Sequence, residues 1–514
     1  MILTEYEEDY LKMLQEIPLA SNTEISTPYK MVQKSVELLD DKIIADPNSK
    51  YLSLGSKNGM FPLMLMLRLL KEMQGDFSSR KEKELHILKN QIFVDCTSLN
   101  ALNITKKALY NGNANEGKCS SVFDSKNGNV RFLASSKDGY GRPIWWGAVK
   151  NSGTSNYEYD DANGISLREV FGMQFDVVIG NPPYQVPTSG RTKSNPQSQP
   201  IYHQIVMAAA SLKPKQISMI IPSRWMTAAS RGGWDINEFR TFMTAGHIKE
   251  IHDYEKSSMC FGNSIDLKGG VCYWNWHSNY CGDALYVEHH ADGTIHSEKR
   301  PLMLDGYDCI IRRAEVVAVL DHLKSLGMDS FSTLVSPTEY FGRISNNELK
   351  NAPLLDESSP NAIKMYGFID HCASAKIVDK SIVTRHDEDI GKPKLFVPKN
   401  AGGAGMAKDV FHFISADSGS AATSTYLMIG PFNTVEERES CRSYLETKFA
   451  HFCIGCIKSS HSNCSLAYRY LPLVDFSHGL WTDERVRKEL CLTDEFVRTI
   501  DSLVWSQKAS ANAQ

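Results

Sequence analysis

The stretch that most limits what this chain can become is Phe175-Asp176-Val177-Val178-Ile179-Gly180-Asn181-Pro182-Pro183, followed by Tyr184. An apolar, β-branched run from Phe175 to Ile179 that stops at a glycine reads as a strand buried on both faces of a parallel sheet. Such a strand delivers Asn-Pro-Pro-Tyr to its carboxyl end, the edge at which open α/β sheets bind ligands. Pro182 and Pro183 each fix φ and remove a backbone N–H. The result is a stiff loop of acceptors: the side-chain oxygen of Asn181, the carbonyl of Pro182 and the aromatic face of Tyr184. The plainer reading is a tight proline turn beside an incidental tyrosine.

The acceptor loop suits a planar NH₂ group attached to a conjugated ring or carbonyl. The lone pair of such a nitrogen is delocalised, and a site that accepts both hydrogens pulls it toward a tetrahedral, nucleophilic geometry. Preorganised acceptors and in-line positioning against a methyl donor then suffice without a general base.

The flanking sequence supplies the other parts of an α/β sheet. Lys50-Tyr51-Leu52-Ser53-Leu54-Gly55-Ser56-Lys57-Asn58-Gly59, followed by an apolar run from Met60 to about Met73, predicts strand, glycine turn and helix, with Gly55 and Gly59 letting backbone approach a cofactor. Gln91 to Cys96 predicts a second strand, with Asp95 at its carboxyl end. That is where doubly wound folds place an acid on ribose hydroxyls, although a helix-capping Asp fits equally. Further strands are expected at Asn129–Ala134, Gln216–Ile221 and Ile248–Tyr254, with helices over Tyr29–Leu39, Ala101–Tyr110, Ile201–Leu212 and Ile236–Ala245. Thr27-Pro28 has the form of an N-cap with proline at the first helical position. Gln185 to Pro200 has almost no apolar content and reads as a loop beside the acceptor site.

A chain of 514 residues accommodates two or three domains, and a formal charge of −4 gives no global nucleic-acid signature. Any basic surface is therefore local. Between Asn181 and Arg240 there are seven Lys or Arg against two acids, among them Arg191, Lys193, Arg224 and Arg231; a phosphate-facing patch and a solvated loop both fit that balance. The acidic start gives no signal-peptide pattern, Phe61–Leu70 is too short to span a membrane, and the twelve cysteines lack a disulfide framework. The expectation is a cytoplasmic protein with no membrane partner.

With Asn181-Pro182-Pro183-Tyr184 behind a buried strand, the chain resembles the S-adenosylmethionine-dependent amino-methyltransferases, in particular the N6-adenine DNA methyltransferases of restriction-modification systems. The same four residues occur in enzymes that methylate guanine N2 in RNA and glutamine amides in proteins. The resemblance implies a Rossmann-like, mostly parallel α/β fold binding S-adenosylmethionine through Thr27, Gly55, Gly59 and Asp95. It also implies catalysis by Asn181, Pro182, Pro183 and Tyr184 on a flipped adenine stacked by Tyr184 and Phe261. Arg191, Lys193, Arg224 and Arg231 would contact double-stranded DNA. The sequence departs from the family at Ser53, where an acid is usual, and at Lys57, where a glycine is frequent.

From about Leu304 the sequence changes character. Tyr426–Phe432, Tyr444–Phe449 and Leu471–Phe476 resemble segments of the target-recognition domain of type II restriction-modification methylases. The expected organisation is a helical extension (1–25), a catalytic domain (26–300), an α+β recognition domain (301–507) and a disordered tail (508–514). Cys453-x2-Cys456-x4-His461-x2-Cys464 approaches a zinc-knuckle spacing, but helical periodicity over Tyr444–Ile457 argues for a plain helix, and no metal is expected. Asp387-Glu388-Asp389 with Lys392 makes only a loose acid-and-lysine cluster, so cleavage would fall to a separate restriction endonuclease. An RNA or protein amino-methyltransferase, or a catalytically weak DNA-binding subunit, are the alternatives.

Overall fold

The computed structural model describes residues 1–17, 26–110, 129–131, 148–150, 157–159, 172–187, 198–227, 236–262, 267, 269–370, 372–400, 412–458 and 463–504. Two units emerge, one comprising Met1–Trp225 and Gly233–Leu304, the other Met226–Gly232 and Asp305–Gln514.

The first unit is built on a nine-stranded sheet. In chain order its strands are β1 (Tyr51–Ser56), β2 (Ile92–Cys96), β3 (Val130–Arg131), β4 (Val177–Gly180), β5 (Gln216–Pro222), β6 (Ile248–Tyr254), β7 (Val271–His277), β8 (Ala284–His289) and β9 (Ile295–Arg300). Their spatial order is β9-β8-β6-β7-β5-β4-β1-β2-β3. All neighbours are parallel except where β7 runs between β5 and β6 and where β9 closes a hairpin on β8. β1, β2, β4 and β5 are buried at every position, as expected for parallel strands covered on both faces. The β8–β9 hairpin was not foreseen; its outer strand, Ile-His-Ser-Glu-Lys-Arg, is largely exposed and has no apolar run to announce it.

Side chains alternate along each strand, so Tyr51, Ile92, Val94, Val177 and Ile179 share one face. There they join a core with α1 (Glu5–Gln15), α2 (Tyr29–Glu37), α3 (Met60–Glu72) and α4 (Leu99–Tyr110). α1, opened by a Thr4–Glu7 capping box, contributes Leu11 and Leu14 to that core. On β1's far side the chain continues from β4 to β5 through α5 (Tyr202–Ser211).

Three local readings are corrected. Thr27 is not the N-cap of α2: Pro28 takes that place without a side-chain cap, and Gln15 Oε1 accepts from the Tyr29 N–H at 3.1 Å. The ends of Gln185–Pro200 are not loop but pair as short antiparallel strands, Gln185–Pro187 with Ser198–Pro200. The third strand is described over Val130–Arg131, after a bend at Asn129, and residues 132–134 lie outside the described residues.

The second unit holds two three-stranded sheets and surrounding helices. Tyr444–Ile457 is not one helix: helices Val435–Leu445 and Lys448–Gly455 meet at Thr447, whose hydroxyl caps the second. Lys394 opens the strand Lys394–Pro398 fully buried, its ammonium donating to the carbonyls of Ile390 and Ser420 at 3.1 and 2.8 Å. Burial lowers its pKa to about 8. Asp387, Glu388 and Asp389 pair with Lys380, His386 and Lys392 respectively. Among the described residues no helix is long and apolar enough to cross a membrane. The expected tail, 508–514, lies outside them.

Candidate active site

β1 has β2 on one side and β4 on the other, so chain direction through the sheet reverses between β1 and β4. A crevice opens at such a switch point, outside the carboxyl ends of the strands. Two loops leave β1 and β4 here: the glycine turn into α3 and Asn181-Pro182-Pro183-Tyr184.

These loops are packed together through positions where no side chain fits. Gly180 pairs with Leu54, and a Cβ on Gly180 would sit 2.2 Å from the Leu54 carbonyl oxygen. Gly55 has φ +68°, and a Cβ there would lie 3.3 Å from the Asn181 carbonyl oxygen, Pro182 Cα and Pro183 Cδ. Gly59, at φ +80°, caps α3 with backbone alone and lets α4 approach; its Cβ would meet Thr105 Cα and Ala108 Cβ at 3.0 Å. The turn is closed by Ser56, whose Oγ accepts from the Gly59 N–H at 3.2 Å, and by Asn58, which accepts from the Met60 N–H and donates to Ser26 Oγ and the Leu14 carbonyl. Sequence reading passed over Ser56 and Asn58, although Ser and Asn bonding backbone a few residues on are frequent turn-formers.

Asn181 is 3 % exposed. Its Nδ2 donates to Thr27 Oγ1 at 2.7 Å, and Thr27 is itself buried. Asn181 Oδ1 is also buried and makes no hydrogen bond among the described residues. A buried acceptor left unsatisfied is costly, which sets Asn181 Oδ1 apart as a candidate binding atom at this edge. Pro182 is buried and Pro183 half-buried. Tyr184 is 8 % exposed with its hydroxyl unpartnered. Burial, with Cys260 and Cys272 nearby, pushes its phenol well above the usual range, only partly opposed by Asn181, so Tyr184 is a neutral ring.

Phe261 closes the short helix Ser258–Phe261 and is buried in the cluster that holds Tyr29, Met31, Cys260 and Tyr273. Asp95 is fully buried at the carboxyl end of β2. Ser53, fully buried on β1, keeps an unpartnered hydroxyl, and Lys57 is buried in the glycine turn. Arg224 sits half-buried in the turn after β5, where its charge acts on the Tyr202 phenol. Arg191, Lys193 and Arg231 lie outside the described residues. The structure thus brings Thr27, Gly55, Asn181, Pro182 and Pro183 together, with Gly59 in the same turn.

The region that carries this loop has known relatives. Residues 90–261 match the family model of the Eco57I restriction-modification methylases. This stretch is thus similar to the Eco57I-type methylases. An uncharacterized adenine-specific methylase of Mycoplasma pneumoniae is 29 % identical over 311 residues, covering 54 % of this chain and 72 % of that protein. Among solved structures, a nuclease-deletion mutant of the Type ISP restriction-modification enzyme LlaGI, in complex with a DNA substrate mimic, is similar over 88 % of this chain and 53 % of that one, at 8 % identity and a TM-score of 0.49. The Type IIL restriction-modification enzyme MmeI in complex with DNA is similar over 90 % and 66 %, at 12 % identity and a TM-score of 0.42. This chain therefore spans between about half and two thirds of the length of those solved chains. The Eco57I-type stretch contains β2, β4, β5 and the acceptor loop, whereas Thr27 and the glycine turn precede it.

Proposed function

We propose that this protein is a site-specific DNA methyltransferase that transfers a methyl group from S-adenosylmethionine to adenine N6 in double-stranded DNA. The observation that carries the reading is the buried, unpartnered Asn181 Oδ1 beside the Gly55 turn. The cofactor fits the residues present: α3 begins at Gly59, which adds no side-chain cap to its first turn, and Asp95 stands at the next strand end. Gly55, Gly59 and Asp95 would hold it, and when bound it supplies an electrophilic methyl group.

The chain's own residues prepare the nucleophile. Asn181 Oδ1 and the Pro182 carbonyl accept the two hydrogens of the adenine amino group, drawing its lone pair out of conjugation. Tyr184, kept neutral by burial, offers an aromatic face to the extruded base, with Phe261 on the other side. Arg191, Lys193, Arg224 and Arg231 contact the DNA backbone, and the second unit serves as the target-recognition domain. The relatives' printed roles support this reading, as does placement of the acceptor loop at the switch point. The biological setting is modification within a cytoplasmic restriction-modification system, alongside a separate endonuclease.

The test is single-molecule modification sequencing of DNA from cells expressing the protein or its Asn181→Ala variant. N6-methyladenine at one short sequence, lost in the variant while cofactor binding persists, is the expected result. Retained methylation in Asn181→Ala overturns the catalytic assignment. Cofactor binding without any modified DNA moves the substrate to RNA or protein.

A further inference from the structure

We infer that Thr27 is a positioning residue for the acceptor loop, setting which end of the Asn181 amide faces the substrate. The inference rests on the methyltransferase reading above but concerns a contact that reading does not use. Thr27 lies 154 positions before Asn181, and the 2.7 Å bond from Asn181 Nδ2 to Thr27 Oγ1 joins two side chains that are 5 % and 3 % exposed.

An amide side chain is two-faced, with donors at one end and an acceptor at the other. With Nδ2 turned to Thr27, Oδ1 is the end left unsatisfied, and a substrate amino group completes it. Turned the other way, the amide would set two N–H donors against the substrate's own N–H donors, and neither set would be satisfied. The Thr27 hydroxyl offers a buried acceptor to Nδ2, which holds the productive orientation before substrate arrives. Its place just before α2, without a capping role for that helix, fits this use.

Because the contact is made through a hydroxyl, two near-isosteric substitutions separate the roles. Thr27→Ser keeps the oxygen and Thr27→Val keeps the shape. With purified full-length protein, tritiated S-adenosylmethionine and unmethylated plasmid DNA, Thr27→Val is expected to lower kcat by about ten- to a hundredfold, the effect of leaving one buried donor unpaired. The cofactor Kd should move less than about threefold, within the spread of a conservative core change. Thr27→Ser should restore kcat to within a few-fold of wild type. The inference is overturned if Thr27→Val has wild-type kcat at saturating cofactor with only its cofactor Kd raised, which makes Thr27 a cofactor residue. It is equally overturned if Thr27→Val loses only thermal stability. Methylation retained in Asn181→Ala instead refutes the underlying assignment of Asn181, so the two failures are distinguishable.

Discussion

Replacing Gly55 with alanine loads the acceptor loop without altering any of its side chains. Two costs are legible in the structure. The first is conformational: φ is +68°, a region in which a Cβ costs about 1–2 kcal/mol. The second is contact, because the new methyl carbon would stand 3.3 Å from the Asn181 carbonyl oxygen, Pro182 Cα and Pro183 Cδ. Van der Waals contact between such atoms is comfortable at roughly 3.5–4 Å, so the loop must retreat by a few tenths of an ångström. That shift displaces the Asn181 acceptor from its position, and a displacement approaching 1 Å costs on the order of a hundredfold in rate. The expectation for Gly55→Ala is a stability loss of about 1–2 kcal/mol together with a roughly tenfold fall in kcat.

Gly419→Ala is the matched control. Gly419 has φ +81° but nothing within 4 Å of its Cβ position, so it bears the conformational cost alone. Urea unfolding and methyl transfer at saturating S-adenosylmethionine, with cofactor affinity recorded separately, should show a stability loss in Gly55→Ala at least as large as in Gly419→Ala, and a kcat defect only for Gly55→Ala. A wild-type kcat in Gly55→Ala, or an equal defect in Gly419→Ala, would refute the argument that the glycine turn braces the catalytic loop.

Two further outcomes follow from the same sheet. Gly180→Ala places a methyl carbon 2.2 Å from the Leu54 carbonyl oxygen, and since both partners are main chain in paired strands, unfolding in urea should show a loss at or beyond about 3 kcal/mol; a loss below roughly 1 kcal/mol would mean that β1 and β4 separate easily. His203, buried on α5, has its pKa lowered to about 4 by burial. The unfolded ring takes up a proton below about 6.5 while the folded ring stays neutral down to about 4, so falling pH across that window favours unfolding. At roughly 1.4 kcal/mol per unit, the loss approaches roughly 3 kcal/mol. Urea midpoints at several pH values should therefore fall less steeply for His203→Phe than for wild type, and identical slopes would exclude His203 as the source.

The middle of the sheet was legible because Val177–Gly180 and Gln216–Pro222 are apolar runs that end at Gly or Pro. Val177–Gly180, Gln216–Pro222 and Ile248–Tyr254 appear where the sequence predicts strands. Local pattern misled where a tertiary partner outbid it. Thr-Pro before a helix has the form of a cap, yet the Thr27 hydroxyl is taken by an amide 154 residues away. Lysine among glycines and prolines reads as surface, but Lys394 is buried because two carbonyls receive its ammonium. The acceptor loop itself could be read from four residues, since prolines and a strand end dictate its stiffness. What braces it, at Gly55, Gly180 and Thr27, depends on which segments the fold brings side by side.

The path of the chain between the two units also matters for any attempt to exchange sequence specificity. The backbone leaves the first unit after Trp225, contributes Met226–Gly232 to the second, and returns before passing over for good at Asp305. Met226 offers its carbonyl to the Ile310 N–H at 2.8 Å within that second unit. A chimaera joined at a single point near residue 304 would therefore carry a foreign Met226–Gly232 into its recipient. A clean graft requires two pieces, and the short one is hidden inside what reads, along the sequence, as the other unit.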